Sequence, residues 1–335
     1  MARAMAPAAE TPIEDPDTLT QLPQVRIGTR ASKLALTQAG HMQTAIAAAL
    51  GYGPEYVERV APLVHISTTG DRVQDRRLLE IGGKALFTKE IEEALMAGRI
   101  DCAVHSMKDV PAERQPGLVL AAIPPREDPR DAFLSPRYAT LDDLPQGARL
   151  GTASLRRQAQ AQHRRPDLEI VMIRGNVDTR LAKLARGEAD AMILALAGLK
   201  RMGLDREVRA LFDPVAVPPA PGQGALAIET RAADAGAAWV AALNHRPTEI
   251  AVAAERGALE ALEGSCRTAI GAHARLEGER LSLVVEALTP DGRERFRRQA
   301  AIDLGVDPVG EARSLGHALG IEIRAEGGDR LLYAV

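Results

Sequence analysis

The chain is 335 residues long and carries a formal net charge of -3 at pH 7. That length accommodates two or three domains, each with its own core. The balance lacks the overall basic excess of a general nucleic-acid binder, and no apolar run approaches the roughly 18 residues that span a bilayer. Residues 1–24 are rich in Ala, Pro and Thr, show no hydrophobic periodicity and include Glu10, Glu14, Asp15 and Asp17. They read as a disordered tail, without the apolar core of a secretory signal and too acidic for an ordinary transit peptide. A cytoplasmic location is therefore expected. In that reducing compartment Cys102 and Cys266 are not expected to form a structural disulfide. Each is read alone, as a buried small hydrophobe or as a reactive thiol.

In chain order, residues 25–29 read as a strand, and a helix follows through Leu34, Leu36 and Ala39 to about Leu50, with Arg30 and Ser32 at the joint. Residues 71–84 are polar and glycine-bearing, which suits either a lid over a cleft or a passive surface loop. Gly82-Gly83-Lys84 then precedes an amphipathic helix with Phe87, Ile91 and Leu95 on one face. Residues 101–111 form a short apolar strand that ends in His105, Ser106, Lys108 and Asp109. Open α/β sheets place their ligands at the carboxyl ends of parallel strands, so this cluster is the first candidate site. A lone acid after a strand is commonly a turn former. Asp109, however, follows a lysine and faces a site otherwise rich in arginine. A carboxylate there repels an anionic ligand, which makes sense if it acts on a developing cation, and Asp109 is the candidate catalyst.

A second unit opens at residues 149–154 with a strand running into a helix, and its Leu-Gly-Thr-Ala-Ser echoes the Ile-Gly-Thr-Arg-Ala-Ser of residues 27–32. Residues 98–104 and 187–193 make a second echo, each with a helix ending at Gly and a buried strand beginning. Two echoes in the same order predict two similar α/β lobes with mainly parallel sheets. Proline-rich joints at residues 123–125 and 217–222 would cross between the lobes as a hinge beside a cleft. Composition alone equally allows two ordinary loops. From about Thr248 the pattern changes to a helix through Ile250, Ala251, Ala254, Ala258, Leu259 and Leu262 that stops at Gly264. Three strands follow, with hairpin turns at residues 277–279 and 289–292, and a last helix covers roughly residues 309–319. That is a separate, small α+β domain with Cys266 in its first loop.

Between Gly151 and Arg180 lie Arg156, Arg157, Arg164, Arg165, Arg174 and Arg180, opposed by Asp167, Glu169 and Asp178. Arg156 and Arg157 fall in the first turn of a helix, where cations oppose the macrodipole. An anion bound beside Thr152 and Ser154, met by helix amides, hydroxyls and guanidinium forks, would explain them. Arg174 and Arg180, at strand-to-helix joints, are read the same way. Arg164 and Arg165 are read as a solvated face, which stays the alternative for the others. The seven histidines have no paired spacing, so no metal site is expected. No Gly-x-Gly-x-x-Gly, Walker or Gly-x-Ser-x-Gly motif occurs.

The most distinctive stretches are residues 27–32, 82–87 (Gly-Gly-Lys-Ala-Leu-Phe), 104–111 (Val-His-Ser-Met-Lys-Asp-Val-Pro), 126–133 (Arg-Glu-Asp-Pro-Arg-Asp-Ala-Phe) and 151–157 (Gly-Thr-Ala-Ser-Leu-Arg-Arg). They continue in residues 174–177 (Arg-Gly-Asn-Val), 197–201 (Ala-Gly-Leu-Lys-Arg), 221–225 (Pro-Gly-Gln-Gly-Ala) and 262–266 (Leu-Glu-Gly-Ser-Cys). Over about residues 25–275 this order resembles the porphobilinogen deaminase (hydroxymethylbilane synthase) family. The remainder of the third domain matches only in pattern.

The resemblance implies an α/β fold of two periplasmic-binding-protein-like lobes with a hinge and cleft, plus the small C-terminal α+β domain. The units expected are the tail 1–24, a first lobe of 25–123 with 224–241, a second of 129–217, and the C-terminal domain 246–335. It implies a transferase of heme and porphyrin biosynthesis with one covalent dipyrromethane cofactor per chain, joined by a thioether to Cys266. Four porphobilinogen units would be added head to tail, each losing ammonia, and water would release the linear tetrapyrrole. Each pyrrole carries an acetate and a propionate, so the growing chain is a polyanion that needs an arginine-lined cleft. Loss of ammonia leaves a cationic azafulvene, which Asp109 would stabilise while handling protons. By position, Ser106, Lys108, Thr152, Ser154, Arg156, Arg157 and Arg180 would hold the cofactor. Arg30, Ser32, Arg174 and Arg201 would meet substrate carboxylates, with Phe87 against a pyrrole ring. Porphobilinogen is the expected partner, with no nucleic acid and no membrane, and a monomer is expected.

Departures from the family pattern are Ala153 for a frequent Ser, Asp178 for a common Gly and Lys33 for a usual Pro. Ser265-Cys266-Arg267-Thr268-Ala269 also stands for the frequent Gly-Cys with a Pro soon after. None removes a charged or catalytic position. The rival class is a non-enzymatic two-lobed carrier of a polyanion, which would share the lobes and arginines but would not need Asp109 or Cys266.

Overall fold

Among the described residues, short aliphatic runs that alternate with amphipathic helices build two five-stranded sheets, and a third, three-stranded sheet follows them. The computed structural model describes residues 22, 24–72, 88–262 and 268–333. Most of the expected tail, residues 73–84 of the expected lid, Phe87 and Cys266 lie outside the described residues.

In chain order the first strands are β1 (Ile27–Thr29), β2 (Leu63–His65), β3 (Cys102–Ser106), β4 (Leu118–Ala122) and β5 (Asp131–Leu134). Next come β6 (Arg149–Gly151), β7 (Glu169–Val171), β8 (Ala191–Ala195), β9 (Ala210–Leu211) and β10 (Leu226–Arg231). The first sheet has the order β2-β1-β3-β10-β4 and the second β7-β6-β8-β5-β9. In each, a parallel trio is followed by an antiparallel fourth strand, β10 in one and β5 in the other. Both sequence echoes therefore fall on matching places: β1 with β6, and β3 with β8. The shared Gly has one physical reason in both lobes. A Cβ on Gly28 would overlap Ile100, and one on Gly151 would come within 2.7 Å of Ile173.

Helices cover both faces of the first sheet. Ala39, Ile46 and Ala47 of the helix Lys33–Ala49 pack with Ile27, Cys102 and Val104. On the other face Ile91, Ala94 and Leu95 of the helix Lys89–Met96 pack with Ile100 and Ala103. This alternation along β3 is the period of two expected of a strand buried on both sides. It also settles Cys102 as a core residue, since its thiol is fully buried and desolvation pushes its pKa well above the ordinary range.

The chain passes from β4 to β5 and returns from β9 to β10, so the proline-rich joints are the two connections between lobes. They lie side by side. The Glu127 amide donates to the Gly224 carbonyl (3.2 Å), Arg126 Nε to the Gln223 carbonyl (2.8 Å), and Gln223 Nε2 to the Pro129 carbonyl (2.7 Å). Gly224 has φ +90°, and a Cβ there would run into the Glu127 carbonyl oxygen.

In the third domain β11 (Ala269–Glu277), β12 (Arg280–Leu288) and β13 (Arg295–Asp303) form the expected meander. The helices Arg246–Ala261 and Pro308–Gly327 cover one of its faces. The last helix runs well past the expected end near residue 319. Gly316 and Gly320 do not stop it because they face the other helix at very close range: a Cβ on Gly316 would overlap the Ala254 carbonyl oxygen, and one on Gly320 would lie 2.7 Å from the Ala261 Cβ. Backbone approach replaces the side-chain contacts a glycine lacks. Among the described residues no helix is long and apolar enough to cross a membrane.

Candidate active site

The strand β3 ends at Ser106, whose hydroxyl is hydrogen-bonded to Gln38 of the helix Lys33–Ala49 (3.0 Å), and the chain then turns through Met107–Asp109. His105, read with this cluster, is buried and hydrogen-bonded to Glu229 of β10 (3.0 Å), so it belongs to the sheet interior. Lys108 reaches across to the second connection, where Nζ donates to Gln223 Oε1 (3.4 Å). Its side chain remains exposed to water. Desolvation and the nearby Arg157 pull its pKa down to about 8, against the opposing pull of Asp109 and Asp131. Asp109 is exposed, and its carboxylate forms no hydrogen bond or ion pair among the described residues.

The second lobe supplies the facing wall. The helix Leu155–Arg164 is capped by Ser154, whose hydroxyl accepts from the Arg157 amide (3.5 Å), and Thr152 Oγ1 accepts from the Ser154 amide (3.1 Å). The two cations of its first turn meet a carboxylate of the chain itself. Asp131 Oδ2 accepts from Arg156 Nη1 (2.7 Å), and Oδ1 accepts from Arg157 Nη2 (2.7 Å) and Gln223 Nε2 (2.9 Å). Burial alone would raise the Asp131 pKa, but the two guanidinium groups overcome this and hold it well below the usual carboxylate range. Arg156 continues away from the cleft, donating to Gln160 Oε1 (2.8 Å) and the Pro218 carbonyl (3.2 Å), and Gln160 in turn donates to Glu286 of β12 (2.7 Å).

Arg174 follows β7, and its Nη1 is buried without a partner among the described residues. Arg180 lies on the helix Val177–Ala185 and donates through Nε to the Gly175 carbonyl (2.7 Å). Desolvation, with Arg157 and Arg174 close by, lowers its pKa to about 10 while Asp109 of the opposite lobe opposes the shift. Asp109, Lys108, Arg157, Arg174 and Arg180 thus share one electrostatic neighbourhood. Ser32 caps the helix Lys33–Ala49 by accepting from the Ala35 amide (3.4 Å), and Arg30 is half-buried at the same joint. Arg201, at the end of the helix Leu196–Arg201, donates to the Gly224 carbonyl (2.7 Å), which places it at the interlobe connection. Two departures from the family pattern meet each other across the lobes: Lys33 Nζ lies 3.7 Å from Asp178 Oδ1.

Sequence reasoning assigned no role to Asp131, Gln223, Arg126 or Glu255. Glu255, on the helix Arg246–Ala261, is fully buried. Its Oε1 accepts from Arg126 Nη1 (2.7 Å) and the Ala274 amide (2.9 Å), and its Oε2 from Arg126 Nη2 (2.9 Å) and the Gly222 amide (2.6 Å). One carboxylate of the third domain therefore ties both connections. A signal was present, because Glu255 stands on the apolar stripe of Ala251, Ala258 and Leu262, where a carboxylate needs a partner.

An orphaned buried guanidinium nitrogen, a desolvated lysine and a second desolvated arginine fit a ligand bearing several carboxylates. Fold and site together define a two-lobed protein with a cationic cleft and, within it, a carboxylate that is unpaired among the described residues. Residues 25–238 match the family model described as porphobilinogen deaminase, dipyromethane cofactor binding domain, and residues 249–325 match porphobilinogen deaminase, C-terminal domain. The chain is 66% identical over 319 residues to the porphobilinogen deaminase of Caulobacter vibrioides, covering 94% of this chain and 99% of that one. It is 64% identical over 315 residues to the porphobilinogen deaminase of Phenylobacterium zucineum, covering 92% and 98%. The solved methionine binding protein MetQ is similar at 14% identity and a TM-score of 0.42, over 66% of this chain and 89% of that one. The chain belongs to the porphobilinogen deaminase family.

Proposed function

We propose that the chain joins four porphobilinogen molecules head to tail, with loss of ammonia, into hydroxymethylbilane, and that it builds them on a dipyrromethane held covalently by Cys266. The observation that carries the chemical assignment is Asp109, a carboxylate unpaired among the described residues and close to the cations Lys108 and Arg180. The dipyrromethane supplies, when bound, the pyrrole to which the first unit is joined. Lys108, Arg157 and Arg180 would hold its carboxylates, with Ser106, Thr152 and Ser154 as hydroxyl partners, and Arg156 would brace this wall through Asp131. Arg174, Arg30, Ser32 and Arg201 would receive substrate carboxylates, and Phe87, outside the described residues, is assigned to a pyrrole ring by the family pattern alone. Asp109 stabilises the cation left when ammonia departs and takes up the proton released on condensation. The division proposed is 25–123 with 224–241, 129–217 and 246–335, a reading supported by β10 and the helix Ala238–Leu243 packing on the first sheet.

Two measurements test this reading. Intact mass of the purified protein should exceed the sequence mass by two linked pyrroles, located on the Cys266 peptide and lost in Cys266→Ser. A bare sequence mass would favour a carrier of polyanions or an apoenzyme whose cofactor has not been assembled. Single-turnover ammonia release by cofactor-loaded Asp109→Asn should fall by about 100- to 10,000-fold, the usual worth of positioned proton transfer. A fall of less than about tenfold returns Asp109 to a turn-forming role.

A further inference from the structure

Arg256, on the third-domain helix Arg246–Ala261, is 8% exposed and reaches out of its own domain. Its Nη1 donates to the Val110 carbonyl (3.1 Å) and lies 3.9 Å from Met107 Sδ, and its Nη2 donates to the Pro111 carbonyl (2.7 Å). Those three residues bracket Lys108 and Asp109. Val252, one helical turn earlier, packs in a single apolar cluster with Met107 and Val110. The upstream end of the turn is already fixed by the sheet, where the Met107 amide donates to the Ala225 carbonyl (3.0 Å). No backbone amide among the described residues donates to the Val110 or Pro111 carbonyl.

The arrangement is costly if it serves only to fill space. Arg256 has no carboxylate partner among the described residues, and Glu260, one turn along, pairs with Arg313 (2.9 Å). Desolvation, helped by Arg114, pushes its pKa down to about 10. A buried cation without a counter-ion is rarely retained where a neutral side chain would pack. What Arg256 gains is a pair of charge-assisted hydrogen bonds to the backbone just past Asp109. We propose that Arg256 is a positioning residue for Asp109, holding the downstream end of the Met107–Asp109 turn so that the carboxylate keeps its place in the cleft. This rests on the role given to Asp109 above.

The test is a double-mutant cycle on cofactor-loaded protein, read as single-turnover ammonia release and KM. Arg256→Met keeps the bulk and the contact with Met107 but removes both donors. The rate should fall about 30-fold with KM within about threefold, since a misplacement near 1 Å of a catalytic group is worth about 100-fold. In an Asp109→Asn background the same change should lower the rate by less than about threefold, because residues acting as one unit are not additive. Equal losses in both backgrounds overturn the proposal, as do wild-type rates in Arg256→Met. Arg256→Lys keeps the charge but offers one nitrogen where the guanidinium met two carbonyls with two, and serves as the second variant if the methionine variant folds poorly. Its rate should be about fivefold below wild type at unchanged KM, and a wild-type rate overturns the proposal. A fast Asp109→Asn enzyme removes the premise about Asp109, whereas additive losses beside a slow Asp109→Asn remove only the assignment of Arg256.

Discussion

Replacing Glu255 by glutamine would strike the point where both interlobe connections are tied to the third domain. The change keeps volume and one oxygen. Whichever way the new amide is turned, its NH2 faces two donors: Arg126 Nη1 with the Ala274 amide, or Arg126 Nη2 with the Gly222 amide. The Arg126 side chain is 10% exposed and would keep its charge without a counter-ion. Breaking a buried ion pair in this way costs about 3–5 kcal/mol. Arg126→Met with Glu255→Leu removes both charges but still strands the Gly222 and Ala274 amides, and each orphaned buried N–H costs about 1–3 kcal/mol. The double variant should therefore stay destabilised, although hydrophobic replacement of a buried pair is often neutral. Urea unfolding followed by circular dichroism and by fluorescence of Trp239, the single tryptophan, gives the readout. Trp239 packs against the first-lobe core, so it reports that lobe while circular dichroism reports the whole chain. Glu255→Gln should lower the midpoint and separate the two curves, because the units lose their common tie. Coincident curves with less than about 1 kcal/mol of change, below any cost expected for a buried pair, would refute the reasoning.

Asp131, whose pKa lies below its unfolded value, contributes stability that is full above about pH 4 and is lost as pH falls toward its folded value. Asp131→Asn should flatten acid unfolding in that range, and a variant curve parallel to wild type would remove the assignment. Lys108, with a folded pKa of about 8, is a base with a depressed value, so stability of the cofactor-free chain should rise with pH from about 8 to about 10. Lys108→Met should abolish that slope, and an NMR titration of the Lys108 amine should shift upward in the loaded enzyme; a midpoint near 10 without cofactor contradicts the desolvation argument. Gly316→Ala should destabilise the third domain by about 1–3 kcal/mol through overpacking against Ala254. A neutral effect in thermal unfolding would mean that the two helices separate at little cost.

Much of this architecture is written locally. The Gly-Thr echoes at residues 28 and 151, the apolar run of β3 ending in Asp109, and the hairpin turns of the third domain are all signals within a few residues. The interlobe connections were legible as proline-rich joints, and the capping roles of Ser32 and Ser154 follow from their place before a helix. Strand order was not legible, because β10 pairs with β3 and β4 through contacts far apart in the chain. Nor were the partners of Arg156 and Arg157. The first-turn cations were read as facing a bound anion, whereas the carboxylate they meet in the structure is Asp131, which becomes their neighbour only when the second sheet folds. Glu255 could be suspected from its place on an apolar stripe, but Arg256 beside it looks like an ordinary surface charge, and only the packing of the units shows that it is buried. The extra length of the last helix depended likewise on a partner helix close enough to tolerate glycine.

The crossed strand order also sets a timetable for the newborn chain. The second sheet uses only residues between Asp131 and Leu211, so it can close as soon as that stretch is free. The first sheet cannot. Its fourth strand begins at Leu226, 104 residues after β4 ends at Ala122. At synthesis rates of about 5–20 residues per second, β3 and β4 wait about 5–20 s for the strand that joins them. Through that interval β3 and β4 hold apolar edges without their partner, the state in which nascent proteins associate wrongly. The lobe that is made first is completed last, and substitutions that weaken β10 should lower the yield of folded protein more than its final stability.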